Sequence, residues 1–269
     1  MRRRRRRTPR RNSFTLSTMR PGQRRIAQAL LSLLIVAGPV AAAPPPGTTM
    51  IPNLTYKGQI YTEDCETAAL QMALDHEGIH LSQKTLLQAE GLSLKGPVLD
   101  SKGDVLQWGD PYTSFVGHPD SSSISTLYTQ ADGYGTYAAN IARVAKQFGG
   151  TVLWSGTGLT RRGLEEAVAA GHPVIVWVGD RAGRMRSAPL SYWTAWDGRR
   201  VPYPAPSSGV YEHTVLVAGM STTGPYVYDP LDGARNGSNI NPRVGPGSVD
   251  WATFLAGLST FHGMAVVMR

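Results

Sequence analysis

The sequence predicts an α+β fold with a mostly antiparallel sheet. Helical patterns crowd the first half of the chain, short Val-rich runs bounded by Gly and Pro crowd the second, and turn signals join neighbouring runs into hairpins. Residues 64–77 carry an apolar face of Ala68, Ala69, Leu70, Met72, Ala73 and Leu74, and Gly78 stands where a C-terminal cap belongs. Ser82 caps a second helix over 83–90, which Gly91 ends. Residues 92–135 follow neither period; Gly109-Asp110-Pro111 and Gly117-His118-Pro119-Asp120 predict a long ordered loop with at most one short helix. Residues 137–148 and 161–170 are helical, the latter capped by Thr160 and stopped at Gly171. The runs at 173–178 (PVIVWV), 214–219 (TVLVAG) and 264–268 (MAVVM) read as buried strands. Residues 226–228 pair with 214–219 across a turn at 221–224, and Asp197-Gly198 marks a second hairpin. A last helix over 251–258 takes Ser248 as its cap.

Composition narrows the function classes. Thirty Gly and 19 Pro against five Phe exclude an all-helical bundle or coiled coil in a chain of 269 residues. One Cys excludes an intramolecular disulfide framework and any multi-Cys zinc or iron–sulfur site. The net charge of +8 invites a nucleic-acid reading, but 11 of the 27 Lys and Arg precede Ile26. Beyond that point 16 basic residues face all 19 acidic ones, so no basic stripe remains and no nucleic-acid partner is expected.

Residues 1–43 read as an export signal. An Arg-rich segment is followed by an uncharged run from Ile26 to Ala43, broken by Pro39 and ending in small residues. Val40-Ala41-Ala42 places a cut before Ala43; the alternative is an uncleaved anchor, the only membrane contact expected. Residues 44–50, with Pro44-Pro45-Pro46-Gly47, form a stiff spacer, and residues 51–269 form the folded domain. The mature chain is therefore expected to be secreted or extracytoplasmic.

Two motifs mislead. His76-Glu77-Gly78-Ile79-His80 matches the zinc-peptidase pattern, which needs both imidazoles on one face of a continuous helix; Gly78 ends the helix inside it, leaving two surface histidines. Gly133-Tyr134-Gly135-Thr136-Tyr137-Ala138 matches the loose dinucleotide fingerprint but follows no apolar strand, so a tight turn is expected. No metal or organic cofactor is implied.

Cys65 is the residue that carries chemistry. It opens the first helix, where free N–H groups and the positive helix end favour a thiolate. Asp64 and Glu66 oppose this, so a cationic partner is required; the plain alternative is a small buried hydrophobe. Gln59, just before the helix, can donate to an oxyanion. His213 begins an apolar strand, and counting back around the 221–224 turn places it opposite the neighbourhood of Asp229-Pro230. Asp229 can accept from the ring and fix its tautomer. Gln59, Cys65, His213 and Asp229 together form a connected oxyanion donor, nucleophile, base and orienter.

These residues and several strings around them resemble the papain-like cysteine peptidases, specifically exported relatives of the bacteriocin-leader (double-glycine) peptidases of the C39-like family. The strings are Gln59-x5-Cys65, Gly109-Asp110-Pro111 to Phe115-Val116-Gly117, Gly133-Tyr134-Gly135-Thr136-Tyr137, the run from Gly171 to Trp177, His213 to Gly219, and Tyr228-Asp229-Pro230. The likeness runs from about Ile51 to the C-terminus. It implies a helical lobe bearing the Cys, packed on an antiparallel-sheet lobe bearing the His and Asp. It assigns Cys65 as nucleophile, His213 as base and acid, Asp229 as orienter and Gln59 as oxyanion donor. The chain departs from the leader peptidases at Glu66, where they often place Gly. The resulting expectation is an exported cysteine peptidase or amidase acting on a peptide or amide substrate. Two alternatives stand beside it: acyl transfer by the same triad, and a non-catalytic cell-surface binding module on the same scaffold.

Overall fold

The computed structural model describes residues 44–120, 133–231 and 246–269, all within the compact unit Ala41–Arg269. The predicted export segment lies outside the described residues. In chain order the elements are β1 (Thr49–Met50), α1 (Cys65–His76), α2 (Gln83–Glu90), β2 (Leu92–Ser93), β3 (Val98–Leu99), β4 (Val105–Trp108), β5 (Phe115–Gly117) and β6 (Gly133–Gly135). Then come α3 (Ala138–Gln147), β7 (Val152–Gly156), α4 (Arg161–Ala169), β8 (Val174–Asp180), β9 (Leu190–Ala195), β10 (Arg200–Pro204) and β11 (Tyr211–Met220). The chain closes with β12 (Pro225–Tyr228), β13 (Pro246–Ser248), α5 (Trp251–Thr260) and β14 (Ala265–Met268).

Helix boundaries follow from local chemistry. The Ser82 and Thr160 hydroxyls accept from the N–H groups of Thr85 and Gly163, so α2 and α4 begin where their caps predict. Helix α1 stops because Gly78 adopts φ +79°, a left-handed conformation that glycine reaches without penalty. The cap of α5 is Asp250, whose Oδ1 accepts from Thr253 N–H; the expected Ser248 instead sits in β13, paired with Tyr226. Glycines at 133 and 135 lie in a strand, not in the expected tight turn.

The main sheet runs β13-β12-β11-β8-β14-β7, with β1 added on β11, and every pairing in it is antiparallel. Strand β7 was not anticipated: its pattern leaves Leu153 and Trp154 exposed, so it has no continuous apolar run to mark it. The region 92–120, expected as loop, holds four short strands, and Gly133–Gly135 supplies a fifth. They belong to two small sheets, β10-β9-β4-β3 and β2-β5-β6, which contain the parallel pairs β4–β9 and β2–β5. Strands of two to four residues show no measurable alternation, and their partners lie far away in sequence, which hides them from pattern reading.

The core lies where the helices meet the main sheet. Ala68, Ala69, Leu70, Met72, Ala73 and Leu74 are fully buried, and α1 packs on β11 and β8. Trp177 of β8 is also fully buried, and its indole N–H donates to the Thr136 carbonyl at 2.9 Å. Helix α5 packs on β8 through Gly257, where a Cβ would come 2.7 Å from Met185 Cβ and 3.2 Å from Val178 Cβ. Those atoms sit beside the backbone and cannot swing aside. Gly257→Ala is therefore expected to lose about 1–3 kcal/mol, read as a lower denaturant midpoint with an unchanged slope. A midpoint equal to wild type would show that α5 shifts freely on the sheet.

Candidate active site

The start of α1 is buried, and each carboxyl there is met by the surrounding chain through at least one oxygen, while Asp64 Oδ2 and Glu90 Oε2 have no hydrogen-bond partner among the described residues. Asp64 Oδ1 accepts from the Tyr61 N–H at 3.1 Å, and Thr67 donates to Glu90 Oε1 at 2.8 Å. Glu66 Oε1 accepts from the Thr136 N–H at 2.7 Å, and Oε2 accepts from the Cys65 thiol at 3.3 Å. Gly133 and Gly135 make this possible. A Cβ on Gly135 would come within 2.0 Å of Glu66 Oε1, and one on Gly133 within 2.2 Å of the His118 carbonyl oxygen and 3.0 Å of Glu63 Cγ. The glycine-rich string is therefore a wall shaped to Glu66 at Gly135 and to the His118 carbonyl and Glu63 at Gly133.

His213 and Asp229 meet through a register shift. Strand β11 pairs Met220 with Pro225 and Gly219 with Tyr226, then Val217 with Val227 and Leu216 with Tyr228, so Ala218 is bulged out. Without the bulge Asp229 would stand opposite Leu216. With it the next position opposite Asp229 is Val215, which shares a face with His213. The ring Nε2 lies 2.8 Å from Asp229 Oδ1. A carboxylate only accepts, so Nε2 carries the proton and Nδ1 is left to act as base. Asp229 Oδ1 also accepts from Leu231 N–H, and its carbonyl accepts from Tyr56.

Gln59 reaches the same end of the sheet: its backbone N–H donates to Pro230 O at 2.9 Å. Its side chain is buried, and Nε2 donates to the Tyr61 and Thr62 carbonyls at 2.9 and 2.7 Å. Cys65 meets β11 at Glu212 and Thr214; the sulfur, a Glu66 oxygen and a Glu212 oxygen all lie within 4.8 Å of one another. Thus His213 and Asp229 are joined directly, Gln59 is tied to the Asp229 loop, and Cys65 bonds Glu66, not His213. Of the decoy histidines, His80 pairs with Asp75 at 2.9 Å, while Glu77 binds the Thr151 N–H. The two sides of that motif face different partners.

Burial, more than the helix end, sets the protonation states. Burial first, and then Glu66 and Glu212, push the Cys65 thiol well above its ordinary value, against the pull of the Thr214 N–H. The opposition from the neighbouring acids thus outweighs the pull of the helix end: Cys65 is 6% exposed, and its surroundings favour the thiol. Burial likewise raises Glu63 and Asp64 to about 8 and Glu66 to about 7. Glu90 and Glu212 are pushed well above the usual carboxylate range for the same reason. His213 behaves oppositely. Burial pulls it down, but Asp229, Asp180 and Glu66 outweigh this and hold it at about 9. Sequence reading missed Glu63, Glu212, Asp180 and Glu90 as members of this cluster. The acid on both sides of the lone Cys, and the Glu before His213, were the available signals.

Stability should track these shifts. Glu63, Asp64, Glu66 and His213 all hold protons more tightly folded than unfolded. Their stabilisation is complete below the ordinary carboxylate range, about 4, and is lost as pH rises through 7 to 9. The thermal unfolding midpoint is expected to fall as pH rises from about 5 towards 9. Glu63→Gln should flatten that fall; a midpoint that climbs with pH would contradict the protonated cluster.

Residues 51–253 match the family model of the Peptidase_C39 like family. The fold is similar to a crystal structure from Bacillus anthracis, described there as a C39-like peptidase. The TM-score is 0.59 and the identity 21%, with 82% of this chain and 97% of that chain covered. No curated protein matches the chain. The α+β architecture, with its Cys-bearing helix packed on an antiparallel sheet that carries the His, is papain-like.

Proposed function

The chain belongs to the Peptidase_C39 like family, and on that premise we propose that it is an exported cysteine peptidase or amidase using Cys65, His213, Asp229 and Gln59. The observation that supports this most is the 2.8 Å bond between His213 Nε2 and Asp229 Oδ1, on the strand against which the Cys65 helix packs. In the proposed reaction one proton leaves the Cys65–His213 pair. The sulfur attacks the amide carbonyl carbon, forming the S–C bond as the carbonyl electrons move to oxygen. The Cys65 backbone N–H and the Gln59 amide hold that oxyanion, the latter by exchanging a carbonyl partner in its own loop. His213 then protonates the leaving amine, the C–N bond breaks, and water, activated by the same imidazole, releases the acyl group and restores the thiol.

Four variants test the roles. Cys65→Ser and His213→Ala are expected to abolish turnover, about 10³-fold or more. Asp229→Ala should lose less, and Asp229→Asn least, because an amide oxygen still accepts from Nε2–H. Full turnover by His213→Ala would end the triad reading, and unfolding of Asp229→Asn would make Asp229 a turn residue only.

The pH profile gives a separate check. With His213 held at about 9 and Cys65 protonated, the pair carries one proton too many at neutral pH. Turnover per enzyme should therefore rise with pH, about tenfold per unit, until near 9. Asp229→Asn removes the charge that holds His213 up, so its rise should come at lower pH. A flat wild-type profile between pH 6 and 9 would exclude His213 as the base.

Export is proposed on the Arg-rich segment and the uncharged run from Ile26 to Ala43. N-terminal sequencing of the secreted protein is expected to begin near Ala43; recovery of the full-length chain in membranes would favour an anchor.

A further inference from the structure

Glu66 has no role in the scheme above, yet it is the group that the Cys65 sulfur touches. It is fully buried in the first turn of α1. Its two oxygens have different partners: Oε1 accepts from the Thr136 N–H at 2.7 Å, and Oε2 accepts from Cys65 S–H at 3.3 Å. The first bond pins the carboxyl. Thr136 is pinned in turn, because its carbonyl accepts from the Trp177 indole and its hydroxyl donates to Pro111 O. Gly135, at φ +112°, leaves the slot that Oε1 occupies.

We propose that Glu66 is a positioning residue that latches the nucleophile, holding Cys65 as a thiol through the S–H to Oε2 bond until that bond is released. A thiolate has no proton to donate, and two anions 3.3 Å apart in a buried site repel strongly. The contact therefore survives only while one proton is shared between sulfur and carboxylate. Because Thr136 fixes the carboxyl, it is the sulfur that has to move when the thiol ionises. Release of the latch would thus couple ionisation of Cys65 to its reorientation. The inference bears on catalysis only through the proposed role of Cys65; the latch itself is a property of the Cys65–Glu66 pair.

Other charges face this pair from every side. Glu63 and Asp64 lie at the helix start, Glu212 on β11 and Glu90 on α2. His213 is the cation on β11, with Asp229 and Asp180 beside it, and Arg143 acts on Glu90. The other acids push the thiol in the same direction as Glu66. A test has to separate the specific bond from this general field.

Glu66→Gln does so. The amide oxygen can keep the Thr136 bond and the shape of the slot, while the NH2 group placed at Sγ can donate to a thiolate. Glu212→Gln, from within 4.8 Å of the sulfur, removes a neighbouring carboxyl without touching the latch. Cys65 is the chain's single cysteine, so full-length protein carrying ¹³C at cysteine Cβ gives one resonance, whose position reports thiol or thiolate. The resonance is expected to keep its thiol position through neutral pH in wild type. In Glu66→Gln its titration midpoint should fall by at least one pH unit, a tenfold gain in thiolate at a given pH, and in Glu212→Gln by clearly less. An unmoved or higher midpoint in Glu66→Gln overturns the latch, as does an equal fall in both variants. Should Glu66→Gln not fold, Glu66→Ala carries the same expectation and the same overturning result. The titration needs no substrate, so it decides the latch even if Cys65→Ser retains turnover and the peptidase reading fails.

Discussion

A helix that begins Asp-Cys-Glu and is buried from its first turn must find a partner for each carboxyl it carries inside, even where a second oxygen such as Asp64 Oδ2 has none among the described residues. Leaving a buried acceptor unpaired costs about 1–3 kcal/mol, and more for a charge. That constraint orders the chain around α1. Asp64 takes the Tyr61 N–H, Thr67 reaches Glu90 on α2, and Glu66 takes the Thr136 N–H between β6 and α3. Gly135 is small because the Glu66 carboxyl fills the space a Cβ would need, and Gly133 because the His118 carbonyl does, with Glu63 behind it. Thr136 then accepts from Trp177, so the same contact ties the helix start to the centre of the main sheet.

The cluster reverses the usual electrostatics of a helix N-terminus. The helix end favours an anion by about 0.3–1 kcal/mol at exposed sites and about 2 at best. Burial moves Glu63 from 4.5 to about 8, and each pH unit is about 1.4 kcal/mol. Desolvation therefore wins, and the acids beside Cys65 add to it. His213 is the exception because its charge is wanted by every neighbour: Asp229, Asp180 and Glu66 all favour the imidazolium. The site rests with its protons in place, thiol beside carboxylate and imidazolium beside carboxylate, and reactivity depends on removing one of them.

Local chemistry made much of the fold legible. Ser82 and Thr160 mark helix starts within a few residues, and the Val-rich runs of β8, β11 and β14 mark strands buried on both faces. Legibility ended where stability is supplied from a distance. Strand β4 is four residues long and is held by β9, which lies more than eighty positions later in the chain. Ser248 was the expected cap of α5; its pairing with Tyr226 in β13 leaves the task to Asp250, next to the first helical residue.

The site divides along the same line. Residue type and spacing alone determined that Cys65 opens a helix, that His213 lies near the start of a strand and that Asp229 directly follows its hairpin partner, since turn and helix signals act over a few residues. Which face of the strand Asp229 occupies was decided by the bulge at Ala218. There β1 also joins β11, and the Ile51 N–H takes the Ala218 carbonyl. The protonation state of Cys65 was likewise decided only in three dimensions. It depends on how much water is excluded from the start of α1 and on Thr136, seventy positions away, holding the Glu66 carboxyl against the sulfur.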